Sequence, residues 1–323
     1  MKILLVGSNG LIGKTFTEVY KKELNIFTCT RKDNINYKLK KIKPNLIINL
    51  AAIWERNKQS KMWRANILIL KRLLEYTLKN KNYLIQTGSS AEYGKRDFPT
   101  NELTSLLPAS IYESTKAAAS MLVTGYSRAF KLKVILMRPY CVYGIHSKKG
   151  RLIPIILESL KSNKKLKIYK GCQDYVYVND YVRALKIIID KRKKWKSGEV
   201  VNIGTGVQYS NIQVVKIIEK VFKKKVKYKF IKKFQKYMDS DMWVCDPTYA
   251  KKKFGFRYQY SLKDGLKDMK LILEKNPKLW NLLLPKKINL PKPNQCEIRA
   301  RFGAKYLREN QYLIQWILAI KQK

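Results

Sequence analysis

The chain has 323 residues, 46% of them hydrophobic, which is enough to bury one large core or two fused ones, and no run approaches the roughly 18 unbroken apolar residues of a membrane span. Sixty-eight basic residues against 23 acidic ones give a formal charge of +45. The lysines are spread through every segment and no zinc-finger or RNA-recognition signature accompanies them, so a solvated, lysine-biased surface is expected and a specific nucleic-acid partner is not. An anionic membrane or polyanion contact, or a multiply charged substrate, remain as alternatives.

Residues 3–6 form a short apolar run that ends in Gly7-Ser8-Asn9-Gly10-Leu11-Ile12-Gly13. The pattern reads as a buried strand, a tight turn and a helix carrying Phe16, Val19 and Tyr20. Gly7 makes the turn, Gly10 lets backbone approach a pyrophosphate, and Gly13 allows close helix–strand packing. Asn9, Leu11 and Ile12 lie in the same turn, where free amides and the positive end of a helix dipole hold phosphate. The spacing is G-x-x-G-x-x-G, not the G-x-G-x-x-G fingerprint. With Lys2 followed by only four apolar residues, the start is not expected to be a signal peptide.

Further apolar strands at 26–29, 46–50, 83–87 and 133–137 alternate with helical stretches at 66–79 and 112–130. This alternation predicts a parallel sheet with helices on both faces. From about Gly150 the pattern becomes mixed, with helices at 152–160, 179–190 and 210–222 and strands at 166–169 and 200–203. The basic runs at 191–196 and 251–253 fall at expected helix ends, where lysine suits the dipole. Pro285, Pro291 and Pro293 mark a stiff linker. Residues 298–320 then form a basic amphipathic helix, expected to dock on the parent domain or a partner subunit, with weak contact to an anionic membrane as the alternative. Cysteines 29, 141, 172, 245 and 296 form no C-x-x-C, and His146 stands alone, so a reduced cytoplasm and no metal centre are expected.

Tyr112 and Lys116 stand four residues apart in a helical stretch, so phenol and ammonium share one face. A nearby cation favours the phenolate and is expected to lower the tyrosine's pKa. Upstream and downstream lie Asn49-Leu50-Ala51-Ala52, Gly88-Ser89-Ser90-Ala91-Glu92-Tyr93-Gly94, Arg138-Pro139-Tyr140-Cys141-Val142-Tyr143-Gly144, Asp174-Tyr175-Val176-Tyr177-Val178-Asn179-Asp180 and Asn202-Ile203-Gly204-Thr205-Gly206. In this order, over about residues 1–273, the chain resembles the extended short-chain dehydrogenase/reductase family, in its NAD-dependent epimerase/dehydratase group acting on nucleotide sugars. Its Gly-Ser-Ser-Ala-Glu-Tyr-Gly wording is also similar to 6-deoxy-4-ketohexose reductases such as CDP-abequose synthase and GDP-6-deoxymannose reductase.

The resemblance implies an α/β fold: a Rossmann-type doubly wound parallel sheet over 1–150, with elements at about 174–195 returning to it. A smaller, interleaved substrate-binding domain would cover 151–275, and 276–323 would be linker and helix. It implies a catalytic set of Ser89, Tyr112 and Lys116, with Ser90 the nearest rival to Ser89. Cofactor contacts are expected from Gly7, Asn9, Gly10, Leu11, Ile12, Gly13, Leu50, Ala51, Ala52, Pro139, Tyr112 and Lys116, and substrate contacts from Ser90, Tyr93, Cys141, Arg151 and Gln173. The family often has Asn at position 141 and Arg at 173; Gln cannot neutralise a phosphate, and Arg151 or Lys170 is the expected substitute. At the second strand's end, Thr30-Arg31-Lys32 precedes Asp33, so Arg31 favours NADP, with NAD the alternative. The Asp-Glu pair of 4,6-dehydratases is replaced by Ser90 and Ala91, which disfavours dehydration. The expected activity is a cytoplasmic, dimeric 4-ketoreductase of a nucleotide-diphosphate 4-keto-6-deoxyhexose, with an NAD-retaining 4-epimerase as the alternative. A catalytically silent dinucleotide- or polyanion-binding protein is the alternative of another class.

Overall fold

Aliphatic and β-branched runs set the strands of the first half, and their burial on both faces marks them as parallel. In chain order these elements are β1 (Lys2–Val6), α1 (Leu11–Tyr20), β2 (Asn25–Cys29), α2 (Ile35–Ile42), β3 (Leu46–Asn49), α3 (Gln59–Trp63), a π-helical turn (Arg64–Leu68), α4 (Ile69–Asn80), β4 (Tyr83–Thr87), α5 (Ile111–Phe130) and β5 (Val134–Pro139). The second half contributes β6 (Cys141–Tyr143), α6 (Leu152–Ser162), β7 (Leu166–Lys170), β8 (Cys172–Tyr177), α7 (Val178–Asp190), β9 (Glu199–Ile203), β10 (Gln208–Ser210), α8 (Asn211–Phe222), β11 (Tyr228–Phe234), α9 (Thr248–Phe254), α10 (Leu262–Lys275) and α11 (Trp280–Leu283). This computed structural model describes residues 1–55, 59–234 and 240–283, which all belong to one unit, Met1–Leu284. The helix expected at 298–320 lies outside the described residues.

Six strands form a parallel sheet in the order β2-β1-β3-β4-β5-β9, so the fold is the expected Rossmann-like α/β arrangement. From β1 the chain first moves outward to β2 and then crosses back to β3 on the other side. That reversal is a topological switch point, and ligands of open α/β sheets bind in the crevice beyond the strand ends there. On one face of the sheet, Phe16 of α1 packs with Tyr181, Leu185 and Ile188 of α7. On the other, Leu39 of α2, Leu70 and Leu74 of α4 and Val123 of α5 form a second core. Each such side chain contributes about 1.5–3 kcal/mol when fully buried.

Among the elements that differ from expectation, three have a clear local cause. A lysine-rich segment carries strand β11 (Tyr228–Phe234), parallel to β7, because Tyr228, Phe230 and Phe234 supply strand-forming aromatics between the charges. Helix α2 forms in a short, lysine-rich stretch because Asn34 caps it, its Oδ1 accepting from the amides of Asn36 and Tyr37. The helix expected from Asn66 begins earlier, and Asn66 falls inside its π-helical turn.

Asp180, in the first turn of α7, is fully buried; its carboxylate accepts from Arg183 at 2.6 Å and from the amides of Gln259 and Tyr260 at 3.0 Å. It ties α7 to the segment leading into α10. Asp180→Ala removes the shared acceptor of these part-buried donors, and denaturant unfolding is expected to show a loss of about 1–3 kcal/mol. A loss below about 1 kcal/mol would show that Asp180 does not anchor this joint.

Candidate active site

The first functional element is the turn between β1 and α1. Gly7 has φ +83°, and a Cβ there would lie 2.7 Å from the amide nitrogen of Ala51, so only glycine fits. A Cβ on Gly13 would meet Ser8 Cα at 2.6 Å, while Gly10 faces open space apart from one contact at 3.4 Å. Helix α1 starts at Leu11 with an extended Gly10 as N-cap and no side-chain cap, and no acidic residue occupies its first turn. The amides of Leu11, Ile12 and Gly13 have no hydrogen-bond partner among the described residues. Uncapped amides, an open glycine and a positive dipole end fit a dinucleotide's pyrophosphate. Leu50, Ala51 and Ala52 follow β3 directly beside this turn, at the switch point.

At the end of β2, Arg31 is exposed. Asp33 folds back on the strand: its Oδ2 accepts from the Thr30 amide at 2.7 Å and the Thr30 hydroxyl at 2.8 Å, and Lys38 pairs with it at 3.2 Å. The Thr30 hydrogen bonds hold this carboxyl below its ordinary range. The acidic residue near the ribose position is therefore engaged locally, and Arg31 is open to solvent.

Ser89, Tyr112 and Lys116 converge from two elements. Ser89 follows β4 and N-caps a 3-10 turn (Ser90–Tyr93), its Oγ accepting from the Ala91 amide at 3.2 Å. Its side chain is also hydrogen-bonded to Tyr112. Helix α5 is capped by Ser110 and carries Tyr112 in its first turn and Lys116 one turn later. Lys116 is 2% exposed and donates from Nζ to Thr87 O at 2.6 Å. Burial lowers its pKa to about 8, with the Glu92 carboxylate acting in the opposite direction. The Tyr112 phenol is pushed above its ordinary value by burial, opposed by the Ser89 hydrogen bond and the Arg151 charge. Lowering of Tyr112 by Lys116 was expected; in this structure burial raises the phenol, the opposing influences come from Ser89 and Arg151, and the Lys116 ammonium donates to the Thr87 carbonyl instead.

The substrate-contact candidates separate into three groups. Ser90 is buried and accepts from Trp243 Nε1 at 3.2 Å, and both line a small cavity with Tyr140 and Met242. Tyr93 is only 1% exposed: its hydroxyl donates to Asn202 Oδ1 at 2.8 Å and accepts from Arg138 at 2.9 Å, so only its ring meets that cavity. Cys141 and Gln173, on β6 and β8, are half-buried, and burial raises the Cys141 thiol above its usual range. Arg151 is exposed, donates to Val142 O at 3.2 Å, and its charge reaches both Tyr112 and Cys141. Lys170 instead pairs with Asp241 at 2.6 Å and lies over the Phe234 ring at 4.9 Å. Pro139 ends β5, paired with Ile203.

Two neighbours of the site were not anticipated. Asn66 is buried in the π-helical turn, where it bonds both amide and carbonyl of Ile53 and donates to Thr115 Oγ1 at 2.9 Å. A polar amide inside an otherwise apolar helical pattern was the available signal, and π-turns often mark functional positions. Trp243 comes from a loop far along the chain, and no local pattern announces it. Among the described residues no His/Cys/Asp/Glu cluster suits a metal ion, and no helix is long and apolar enough to cross a membrane.

A dinucleotide-type cradle at the switch point of a Rossmann-like sheet defines the class of protein. The model of the NAD dependent epimerase/dehydratase family matches residues 3–204, and the chain belongs to that family. It is 34% identical over 215 residues to a dTDP-D-glucose 4,6-dehydratase of Dictyostelium discoideum, covering 60% of this chain and 48% of the relative. It is 30% identical over 208 residues to an uncharacterized UDP-glucose epimerase of Bacillus subtilis, covering 62% of this chain and 64% of that protein. The chain thus spans about half to two-thirds of the length of these relatives. Among solved structures, dTDP-glucose 4,6-dehydratase from Bacillus anthracis in complex with NAD superposes with a TM-score of 0.76 at 24% identity, covering 88% of this chain and 99% of the other. UDP-glucuronic acid 4-epimerase from Bacillus cereus, with UDP-glucuronic acid and NAD, gives 0.76 at 22% identity over 85% and 99%.

The buried Lys116 ammonium has a pH signature. Its folded pKa lies below the unfolded value, so charging it opposes folding in full below about pH 8, and the penalty disappears as pH rises towards 10.5. Lys116→Met is therefore expected to stabilise the protein at pH 7 by about 3 kcal/mol, from a shift of roughly 2.5 units at 1.36 kcal/mol each. Thr87 O keeps a partner in that variant, the Gln86 amide at 3.0 Å. Thermal melts from pH 6 to 10 should show this advantage shrinking above pH 8; a pH-independent difference would contradict a charged, buried Lys116.

Proposed function

We propose that the chain is an NADP-linked reductase of a nucleotide-diphosphate 4-keto-6-deoxyhexose. One observation carries this reading. Ser89, Tyr112 and Lys116 come together, while the neighbouring positions hold Ser90 and Ala91 and the nearest carboxylate, Glu92, is 0% exposed in an ion pair with Arg138. No acid/base pair faces the site from this loop to eliminate water. When bound, the nicotinamide supplies the hydride. The Ser89 hydroxyl, held by the Ala91 amide on its oxygen, donates to the substrate's carbonyl oxygen, which can only accept. Tyr112 then passes its proton to that oxygen as the alkoxide forms, completing the alcohol. A phenol raised by burial is protonated at neutral pH, which suits the reductive direction. Lys116 holds the ribose hydroxyls, and Arg151 supplies the positive charge beside Tyr112 that Gln173 cannot.

Arg31, exposed beyond β2, supports NADP. The second reading is an NAD-retaining 4-epimerase, favoured by Asp33 beside the same strand end and by the NAD found in the solved relatives. The exposed apolar side chains Trp63, Leu68, Met121 and Phe130, on the neighbouring α3–α4 and α5 segments, support a homodimer.

Tyr112→Phe is expected to lower turnover roughly 10²–10⁴-fold while leaving cofactor binding nearly intact. Near wild-type turnover on a verified 4-keto sugar would contradict the role. Fluorescence titrations should show NADPH binding more tightly than NADH, with Arg31→Ala removing the preference. Tighter NADH binding by the wild type would move the assignment to the epimerase.

A further inference from the structure

Glu92 lies outside the reacting set, yet it joins every element that carries it. The residue is the third of the 3-10 turn that Ser89 caps, and its Oε1 accepts from the Ser89 amide at 2.7 Å. Its Oε2 accepts from Arg138 Nε on β5 at 2.8 Å and from the hydroxyl of Ser120, one turn beyond Lys116 on α5. Gly88 leaves room for it, since a Cβ there would lie 2.6 Å from Glu92 Oε1. The carboxylate is 0% exposed. Two cations share this interior: Glu92 Oε2 pairs with Arg138 and meets Ser120, which lies four residues beyond Lys116 on the same buried face of α5, and the Glu92 charge acts on both cations.

We propose that Glu92 is the positioning residue of this site: it fixes the Ser89 hydroxyl through a reciprocal capping box and serves as the buried counter-charge of the Lys116 ammonium. The capping box gives the Ser89 oxygen the Ala91 amide as donor and holds the Ser89 amide on Glu92 Oε1, leaving the single hydroxyl proton for Tyr112. The counter-charge opposes the desolvation that would otherwise neutralise Lys116. The remaining polar groups around Lys116 leave this role to Glu92. Thr87 O accepts from it, and the Tyr181 hydroxyl lies 3.5 Å from Thr87 Oγ1 with its own pKa raised by burial. Tyr112 is likewise raised, Arg151 and Arg138 are cations, and Glu113 points to the Ala109 amide at 2.6 Å. The role of Ser89 and Lys116 in hydride chemistry rests on the function proposed above; the charge relation between Glu92 and Lys116 does not.

Glu92→Gln alone leaves Arg138 buried without a counter-ion, so the informative variant is Glu92→Gln/Arg138→Gln, which removes both charges. The first readout needs no cofactor. The melting temperature of each background is compared with that of its Lys116→Met derivative from pH 5 to 10. With Glu92 present, the advantage of the methionine variant begins to shrink near pH 8. In the double variant that onset is expected clearly below that of the Arg138→Gln single variant, which keeps Glu92, because loss of an opposite charge disfavours the ammonium. An unchanged onset in a folded double variant overturns the proposal. The second readout is NADPH affinity by fluorescence over the same range: its alkaline fall should move down together with the melting onset. The thiols of Cys29 and Cys172, near 11, do not interfere. If wild type binds neither NADPH nor NADH, the proposed function fails while the melting comparison still decides the role of Glu92.

Discussion

The site is organised by an interior that holds two cations and one carboxylate. Lys116, Arg138 and Glu92 are all buried, and burying charge costs several kcal/mol per ion unless partners offset it. The Glu92–Arg138 pair at 2.8 Å is fully hydrogen-bonded, and the chain continues through Tyr93 to Asn202 on β9. The last parallel strands, the catalytic loop and α5 are therefore cross-linked by polar contacts that a shift of any one of them would break. Lys116 is the member with the fewest partners, its ammonium donating to the Thr87 carbonyl. A site held slightly electropositive and under-solvated in this way sacrifices stability for readiness to bind.

The glycine turn and this polar cluster meet at the switch point from opposite sides. Gly7 brings the end of β1 against Ala51, and the end of β4 brings Ser89 to α5. The second half contributes differently. Asp174 on β8 accepts from the amides of Thr205, Gly206 and Cys245, which fixes the loop after β9 and draws in the segment that carries Trp243. Trp243 then reaches Ser90. The substrate side of the cleft is thus built by contacts between segments some 150 residues apart in the chain, whereas the cofactor side is built from turns that directly follow strands.

This contrast explains what could be read from the amino-acid order. The β1 turn, the Ser89 loop and the Tyr112–Lys116 pair are local motifs, and each sits where its spacing placed it. The first five strands were legible because continuous aliphatic runs leave little choice. Strand β11 was hidden by lysines that outnumber its aromatics, and β6 and β8 by their brevity and polar neighbours. Tyr93 read as a substrate contact because the motif places it near Ser89; only three-dimensional packing shows its hydroxyl engaged by Arg138 and Asn202. Lys170 was a candidate phosphate ligand until Asp241, distant in sequence, was seen to pair with it. Glu92 was a different case. Ser89-Ser90-Ala91-Glu92 has the S-x-x-E spacing of a capping box, so half of its role was visible, and the other half depended on Arg138 and Ser120 converging on it.

The account's central claim is net hydride transfer to a keto sugar without loss of water. The most direct test incubates the protein with NADPH deuterated at the transferable C4 position and with UDP-, GDP-, CDP- and dTDP-linked 4-keto-6-deoxyhexoses, followed by mass spectrometry of the nucleotide sugars. The account predicts one product that has gained one deuteron and one proton, with stoichiometric oxidation of NADPH. Keto sugars recovered unchanged, together with conversion of UDP- or dTDP-glucose in a parallel incubation to a C4 epimer of the same mass or to a product lighter by one water, would contradict the claim.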